Sequence, residues 1–250
     1  MDTRTILEGI EAVNEAILAN ESVIESLDRE IGDGDHFINI KRGCGVLLAM
    51  REELAALDPS DAFQRMGMKL MSTIGGASGP LISSFFIAMG KTLKGNDNPD
   101  GMAFADAFSN GVDAISHLGK AGLGEKTMLD VLIPAARLLK SLNREGASLA
   151  EIVEKMKADT ERNMLGTRNT IATKGRAQFL GERALGHIDP GSKTCQVAIW
   201  TVCDLLASNV RIYRSGTNIV GTGSPHPSPL PEGEGENSDP ENAALSGPNQ

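Results

Sequence analysis

The chain has 250 residues and a formal net charge of −9, and its 40% hydrophobic and 23% charged residues are typical of a globular protein. With an acidic balance and only 4% aromatic residues, we expect no direct binding to nucleic acid or to an anionic membrane. Three cysteines cannot complete a disulfide framework, and the acidic N-terminus lacks a signal-peptide pattern. We therefore expect a reducing, cytoplasmic location.

Helical patterns follow one another along residues 1–210. No segment alternates apolar and polar residues as a strand would, and short loops marked by Gly and Pro favour antiparallel neighbours. The sequence therefore predicts an all-α domain, an eight-helix up-and-down bundle over residues 1–210. Apolar residues at helical spacing run through 6–27, and further helices are predicted over about 39–57, from Pro59, from Pro80, and over 102–118, 126–142, 149–171 and 193–207.

The composition changes near residue 210. From Ser215 to Gln250 there are five acidic residues, no Lys or Arg, and six of the eleven prolines of the chain. Such a segment has little apolar surface to bury. We predict that residues 211–250 form a disordered, Pro- and Glu-rich tail without a function of its own.

Three aspartates gather in the stretch LDREIGDGDH, residues 27–36: Asp28, Asp33 and Asp35. Asp28 falls at the end of a predicted helix, and the other two lie on a glycine-containing loop where alternate side chains point the same way. Carboxylate oxygens are ligands that Mg²⁺ prefers, and three crowded carboxylates repel one another without a cation. The pattern favours a metal site. The alternative is that Asp33 or Asp35 caps the helix that follows.

A glycine-rich turn, STIGGASGPL, occupies residues 72–81, with Pro80 just inside a new helix. Unpaired backbone N–H groups at a helix N-terminus suit a phosphate, and the Ser78 hydroxyl adds a donor. The P-loop pattern is absent from the chain. The alternative is a helix–helix turn in which small residues permit close packing.

A third region, residues 172–192, is rich in glycine and carries Lys174, Arg176 and Arg183 in an acidic chain. About 20 residues without a clear helix are typical of a functional loop in a compact domain. A guanidinium there could pair with phosphate oxygens, or the charges could simply be solvated. Carboxylates, a phosphate-type turn and arginines together point to a metal ion and nucleotide phosphates.

These motifs resemble the nucleotide-binding L subunit of dihydroxyacetone kinase, and the resemblance covers about residues 3–207. It implies an eight-helix antiparallel barrel with the nucleotide site on loops at one end. It rests on LDREIGDGDHFINIKRG (27–43), MGMKLMSTIGGASGPL (66–81), GKAGLGEKTMLDVLIP (119–134) and KGRAQFLGERALGHIDPGS (174–192), in the order and spacing of the family.

The resemblance also implies which residues hold ligands. Two Mg²⁺ ions are expected between the diphosphate and the three aspartates Asp28, Asp33 and Asp35. Phe37 departs from the family, which more usually has Gly after DGDH, and its position next to the nucleotide contacts suggests an effect on nucleotide exchange or partner fit. The expected nucleotide contacts are His36, Asn39, Ala77, Ser78, Gly119, Met128, Arg176, Asp189, Pro190 and Gly191.

The family has two variants. In one, ATP is exchanged on a long chain that also carries the substrate domain; in the other, ADP stays bound as a coenzyme and a phosphotransferase-system phosphocarrier, the M-type subunit, recharges it. The length here leaves no room for a substrate domain, so the resemblance implies a separate K-type subunit that holds dihydroxyacetone. His36 after the last aspartate favours the phosphocarrier variant.

Two alternatives of different kinds stay open from the sequence. One is an ATP-exchanging kinase subunit for another ketose or a related substrate. The other is a nucleotide-loaded binding module that acts on a transcription regulator. No catalytic side chain is expected on this chain in the main reading, because phosphoryl transfer depends chiefly on positioning and charge neutralisation.

Overall fold

A computed structural model of the chain describes residues 1–76 and 78–217, with side chains over 1–76 and 78–209. In these residues there are ten α-helices, two 3₁₀ segments (Thr167–Asn169 and Arg176–Ala184) and no strand, which confirms the all-α prediction. The helices are Thr3–Ala19 (α1), Glu21–Ile31 (α2), His36–Ala49 (α3), Arg51–Ala55 (α4), Pro59–Met71 (α5), Ser78–Leu93 (α6), Gly101–Gly119 (α7), Leu129–Arg144 (α8), Leu149–Gly166 (α9) and Pro190–Thr217 (α10).

Eight of these helices close into a ring. From α5 to α10 each helix packs on the next, α10 packs on α1, α1 on α3, and α3 on α5. Short connections make neighbours antiparallel, so the predicted eight-helix barrel is confirmed. The two remaining helices are additions to the ring: α2 packs on α3 and α10, and the five-residue α4 contacts α1, α3 and α5.

Several helix boundaries differ from the prediction. The predicted helices over 6–27 and 39–57 each divide in two, at Asn20 and Met50, whose N–H groups close the preceding helix on carbonyls three or four residues back. Neither position carries a Gly or Pro that would mark a break. α8 begins at Leu129 rather than 126 because Lys126 has a left-handed backbone, with φ of 60°. α10 begins earlier, at Pro190, which suits a first helical position.

The antiparallel order places connections alternately at the two ends of the ring. The ammonium of Met1 donates to the carbonyl of Pro99 at 2.6 Å, which fixes the start of α1 beside the α6–α7 connection at one end. All motifs singled out in the sequence fall at the opposite end, called the site end below. The connections at the site end are 32–35, 72–77, 120–128 and 167–189.

Phe37 lies in the core and not in the site. Its side chain, in the first turn of α3, is 2% exposed and packs with Ile17, Ile24 and Val197 of α1, α2 and α10. Successive side chains of a helix point about 100° apart, so Phe37 turns inward although His36 beside it faces the site. This position gives Phe37 a packing role, and its expected effect on nucleotide exchange or partner fit stays a prediction.

Two predictions concern residues outside the described part of the chain. Ala77 is one of them. The other is the tail: α10 continues to Thr217, seven residues into the predicted tail, and residues 218–250 lie outside the described part. Among the residues that are described, no helix combines the length and the hydropathy needed to cross a membrane.

Candidate functional site

Asp28, Asp33 and Asp35 come together at the site end. One carboxylate oxygen of each lies within 4.8 Å of those of the other two. Asp28, on the last turn of α2, is buried, whereas Asp33 and Asp35 are exposed on the α2–α3 loop. Hard oxygens that converge in this way are the donor set of Mg²⁺, so the residues present fit a divalent cation.

The start of α3 does not support the alternative in which Asp33 or Asp35 caps this helix. Asp35 occupies the N-cap position, but its side chain makes no capping hydrogen bond. Instead the N–H of His36 donates to Oδ2 of Asp28 at 3.0 Å, so a carboxylate from α2 satisfies the start of α3. Asp33 and Asp35 are therefore not held as helix caps, and their oxygens face the cluster.

Gly32 makes room for the carboxylate of Asp28. Its N–H donates to the Asp28 carbonyl at 2.6 Å, and a Cβ at this position would lie 1.8 Å from Oδ1 of Asp28. We expect Gly32→Ala to displace that carboxylate and to weaken Mg²⁺ binding by about tenfold or more, the effect typical of disturbing a ligand's support. Calorimetric Mg²⁺ titration measures this.

Gly45→Ala is the matched control for this substitution, because it adds the same methyl group to a glycine of α3 that has no atom within 4 Å of the new Cβ. The control variant is expected to bind Mg²⁺ as the unmodified protein does. Equal Mg²⁺ affinity in the Gly32→Ala variant would contradict the assignment of Asp28 as a ligand.

The glycine-rich turn lies beside the aspartate cluster. Gly76 has φ of 67°, and a Cβ there would lie 3.8 Å from Oδ2 of Asp35 and 3.9 Å from Nδ2 of the buried Asn39. Ser78 begins α6, with its Oγ 3.5 Å from the carbonyl of Gly75. The N-terminus of α6 therefore opens next to the carboxylates, in the arrangement that a phosphate bound to both would require.

Arg176 reaches the cluster from the α9–α10 connection. Its Nε lies 2.8 Å from Oδ2 of Asp33. The 3₁₀ segment that carries it is packed on α2, where Ala177 and Ala184 bury Ile31. The guanidinium, 68% exposed, balances a carboxylate and presents a planar set of donors that matches phosphate oxygens. For Arg176, the structure thus favours a site role over a merely solvated charge.

His36 links α3 to α10. Its Nε2 lies 2.8 Å from the Thr194 hydroxyl, which itself donates to the carbonyl of Pro190 at 2.9 Å. A hydroxyl has one proton, so Thr194 accepts from the Nε2–H of His36. Burial lowers the pKa of His36, against the opposing effect of Asp28 and Asp35, and keeps the ring neutral at neutral pH. The neutral ring fixes the aspartate loop to the start of α10.

The turn Asp189–Pro190–Gly191 caps α10. Oδ2 of Asp189 accepts from the N–H of Ser192 at 2.6 Å, and burial raises the pKa of Asp189 to about 6. A Cβ on Gly191 would lie 3.1 Å from Oδ2 of Asp189 and 3.4 Å from Cβ of Met128. The turn therefore lies directly against the α7–α8 connection.

Gly119 is the last residue of α7 and lies against α6. A Cβ there would come within 3.3 Å of Cδ2 of Leu81, in the first two turns of α6. Every predicted site residue that the structure describes thus lies at the site end, on a connection or on a helix turn next to one.

Residues 30–204 match the family model described as the DAK2 domain. The chain belongs to this family. It is 36% identical over 203 residues to the "PTS-dependent dihydroxyacetone kinase, ADP-binding subunit DhaL" of Lactococcus lactis, covering 81% of this chain and 97% of that protein. It is 37% identical over 193 residues to the "PEP-dependent dihydroxyacetone kinase 2, ADP-binding subunit DhaL" of Listeria innocua, covering 75% of this chain and 86% of that protein.

A solved structure shares the fold of this DAK2 chain. The dihydroxyacetone kinase from C. freundii, crystallised in complex with AMP-PNP and Mg²⁺, superposes with a TM-score of 0.62 at 24% identity. The match covers 79% of this chain and 33% of that one, so the chain spans about a third of its length. This likeness supports the DAK2 barrel as an architecture.

Lys126 of this DAK2 chain is a buried charge that the sequence motifs did not predict. Its side chain is 1% exposed, and its ammonium donates to the carbonyls of Thr167 at 2.5 Å and His187 at 2.6 Å. A single lysine in a glycine-containing loop has the sequence pattern of a solvated charge. Its place two residues before Met128, a predicted nucleotide contact, was the only signal in the sequence.

Proposed function

We propose that this chain is the ADP-binding subunit of a dihydroxyacetone kinase. It holds an adenine nucleotide with Mg²⁺ and passes a phosphoryl group to dihydroxyacetone on a separate K-type subunit. ADP stays bound as a coenzyme and is recharged by a phosphotransferase-system phosphocarrier. The observation that carries the proposal is the convergence of three carboxylates within 4.8 Å, beside the glycine-rich turn and Arg176, in a DAK2 barrel.

The names of the relatives support the finer parts of the proposal. Both are called ADP-binding subunits, and their kinases are called PTS-dependent and PEP-dependent, respectively. Each of these two relatives is aligned over most of its own length, so the likeness extends across a whole subunit and not a fragment of one. We therefore favour a phosphocarrier over exchanged ATP as the donor for this chain as well.

Asp28, Asp33 and Asp35 are the residues that would hold the metal, which we propose as two Mg²⁺ ions. Bound there, Mg²⁺ offsets the negative charge of the diphosphate and of the transferring phosphoryl group. The buried Asp28 is oriented by the N–H of His36, and the exposed Asp33 and Asp35 face the direction from which a nucleotide enters.

The phosphates are bound by groups from two places at the site end. Arg176 exchanges its pairing with Asp33 for phosphate oxygens when the nucleotide enters, and the N-terminus of α6 at Ser78 offers backbone N–H donors. Because these donors are fixed by the barrel, they need little reorganisation as charge develops. The substrate hydroxyl and the general base that accepts its proton belong to the K-type subunit in this proposal.

The remaining predicted contacts surround the rest of the nucleotide. The α7–α8 connection and the start of α10 lie against each other there, so both flank one side of the site. These contacts stay predictions. They are His36, Asn39, Ala77, Gly119, Met128, Asp189, Pro190 and Gly191.

The nucleotide that accompanies the purified protein tests the proposal. The protein is purified without added nucleotide and precipitated with acid, and the supernatant is analysed by chromatography. Near-equimolar ADP is the expected result. An empty protein that binds ATP with Mg²⁺ would replace the coenzyme with an exchanged donor. A protein that binds neither nucleotide would overturn the proposal and favour a regulatory binding module.

A further inference from the structure

We infer that Lys126 is a positioning residue that clamps the α9–α10 connection, residues 167–189, over the proposed nucleotide site. The inference rests on the proposed function for its consequence for ADP binding, but its structural part stands on contacts within this chain. The clamp joins the α7–α8 connection to both ends of the longer connection, and Arg176 lies between those ends.

Two features of Lys126 are unfavourable by themselves. Its ammonium is removed from water, with the residue 1% exposed, and its backbone has φ of 60°, which residues other than glycine rarely adopt. A buried cation persists only where partners replace its hydration. The carbonyls of Thr167 and His187 are such partners, and the carboxylates of Asp130 and Asp189 lie close enough to offset the charge.

The clamp acts on the two ends of the connection together. Thr167 is its first residue, and His187 lies two residues before Asp189. The N–H of Asp189 also donates to the hydroxyl of Thr167 at 3.1 Å, so the two ends are held side by side. Because one ammonium binds both ends, Thr167 and His187 cannot move apart, and the residues between them form a closed loop.

A neighbouring residue, Glu125, holds the same connection at another point. Glu125 accepts from the N–H of Gly122 at 2.6 Å and from the hydroxyl of Thr173 at 2.9 Å. Two successive residues of the α7–α8 connection therefore hold the α9–α10 connection at different points. The result is a fixed distance between Met128 on one side and Arg176 on the other, which a bound nucleotide would have to match.

Lys120 supplies the comparison within the same connection. It also has a left-handed backbone, with φ of 47°, but its side chain is exposed. Changing either lysine to methionine removes one positive charge from a left-handed position. Only the Lys126→Met substitution removes contacts to the α9–α10 connection, so differences between the two variants report on the clamp.

The first readout needs no nucleotide. Trypsin is expected to cleave Lys126→Met at Lys174, Arg176 and Arg183 about tenfold faster than it cleaves the unmodified protein or Lys120→Met, because local opening exposes the connection. Cleavage sites are identified by mass spectrometry, at a temperature where circular dichroism shows all proteins folded. Equal cleavage rates in the two variants would overturn the inference.

The second readout is affinity for ADP in the presence of Mg²⁺, measured by calorimetry at the same temperature. Lys126→Met is expected to bind about 10–100-fold more weakly than Lys120→Met, the range typical for a residue that supports a ligand-binding group. A merely structural role would lower the melting temperature of Lys126→Met and leave its affinity unchanged, and that outcome would overturn the inference.

Lys126→Arg keeps the inference testable if the methionine variant does not fold. The guanidinium retains the charge but presents its donors in a different, planar arrangement, so trypsin is expected to cleave this variant faster than the unmodified protein. A cleavage rate equal to that of the unmodified protein would contradict the clamp in that case. If the unmodified protein binds no nucleotide, the proposed function fails, and the proteolysis still decides whether Lys126 holds the connection.

Discussion

Asp33→Asn is expected to remove most of the Mg²⁺-dependent affinity for ADP, by at least about a hundredfold, more than the 10–100-fold loss typical of disturbing a residue that merely supports a ligand. The substitution deletes one of three carboxylates that converge within 4.8 Å and replaces it with a neutral amide. Calorimetric titration of ADP with and without Mg²⁺ measures the effect. The difference from the unmodified protein should vanish when Mg²⁺ is removed with a chelator.

Asp97→Asn is the control for that experiment. It makes the same chemical change at an exposed residue in the α6–α7 connection, at the end of the ring opposite the aspartate cluster. Its affinity for ADP with Mg²⁺ is expected to equal that of the unmodified protein. If Asp33→Asn also retained ADP as the control does, the assignment of the aspartates as metal ligands would be wrong.

Phe37→Ala is expected to lower the free energy of unfolding by about 3–5 kcal/mol, the range observed when a buried Phe is truncated. The side chain is 2% exposed and fills the contact between α1, α2, α3 and α10. Because the Phe37 side chain lies in the core, affinity for ADP at temperatures well below the melting transition should not change. Urea unfolding followed by circular dichroism gives the stability, and calorimetry gives the affinity.

Phe179→Ala serves as the control for stability, since that ring is 78% exposed and its loss should change the free energy of unfolding by at most about 0.5 kcal/mol. A small loss of stability in Phe37→Ala, together with a large loss of ADP affinity, would return Phe37 to the nucleotide site and contradict its position in the core.

The helical architecture could be predicted because apolar residues at helical spacing dominate the first 210 residues. The breaks at Asn20 and Met50 could not be predicted. At each of them the preceding helix ends on backbone hydrogen bonds of an ordinary residue and not at a Gly or Pro. The eight predicted helices nevertheless correspond to the ring, because both breaks separate a short additional helix, α2 or α4, from a member of the ring.

The site was predictable where its chemistry is local in sequence. The three aspartates lie within eight residues of one another, so their convergence follows from one helix end and one loop. Only the family resemblance predicted that Arg176 and Asp33 share a site, because residues far apart in the chain meet only once the ring of helices closes. Lys126 was missed for a related reason: burial of a single charge is set by tertiary packing, which leaves no pattern in the sequence.

The even number of helices in the ring has a further consequence. An antiparallel ring of eight returns the chain to the end from which it started, so the start of α1 and the later part of α10 both lie away from the site end. Another domain can be joined there without covering the aspartates. A ring of this kind suits covalent fusion and separate subunits equally well, and in the C. freundii kinase the matching region is one third of a longer chain.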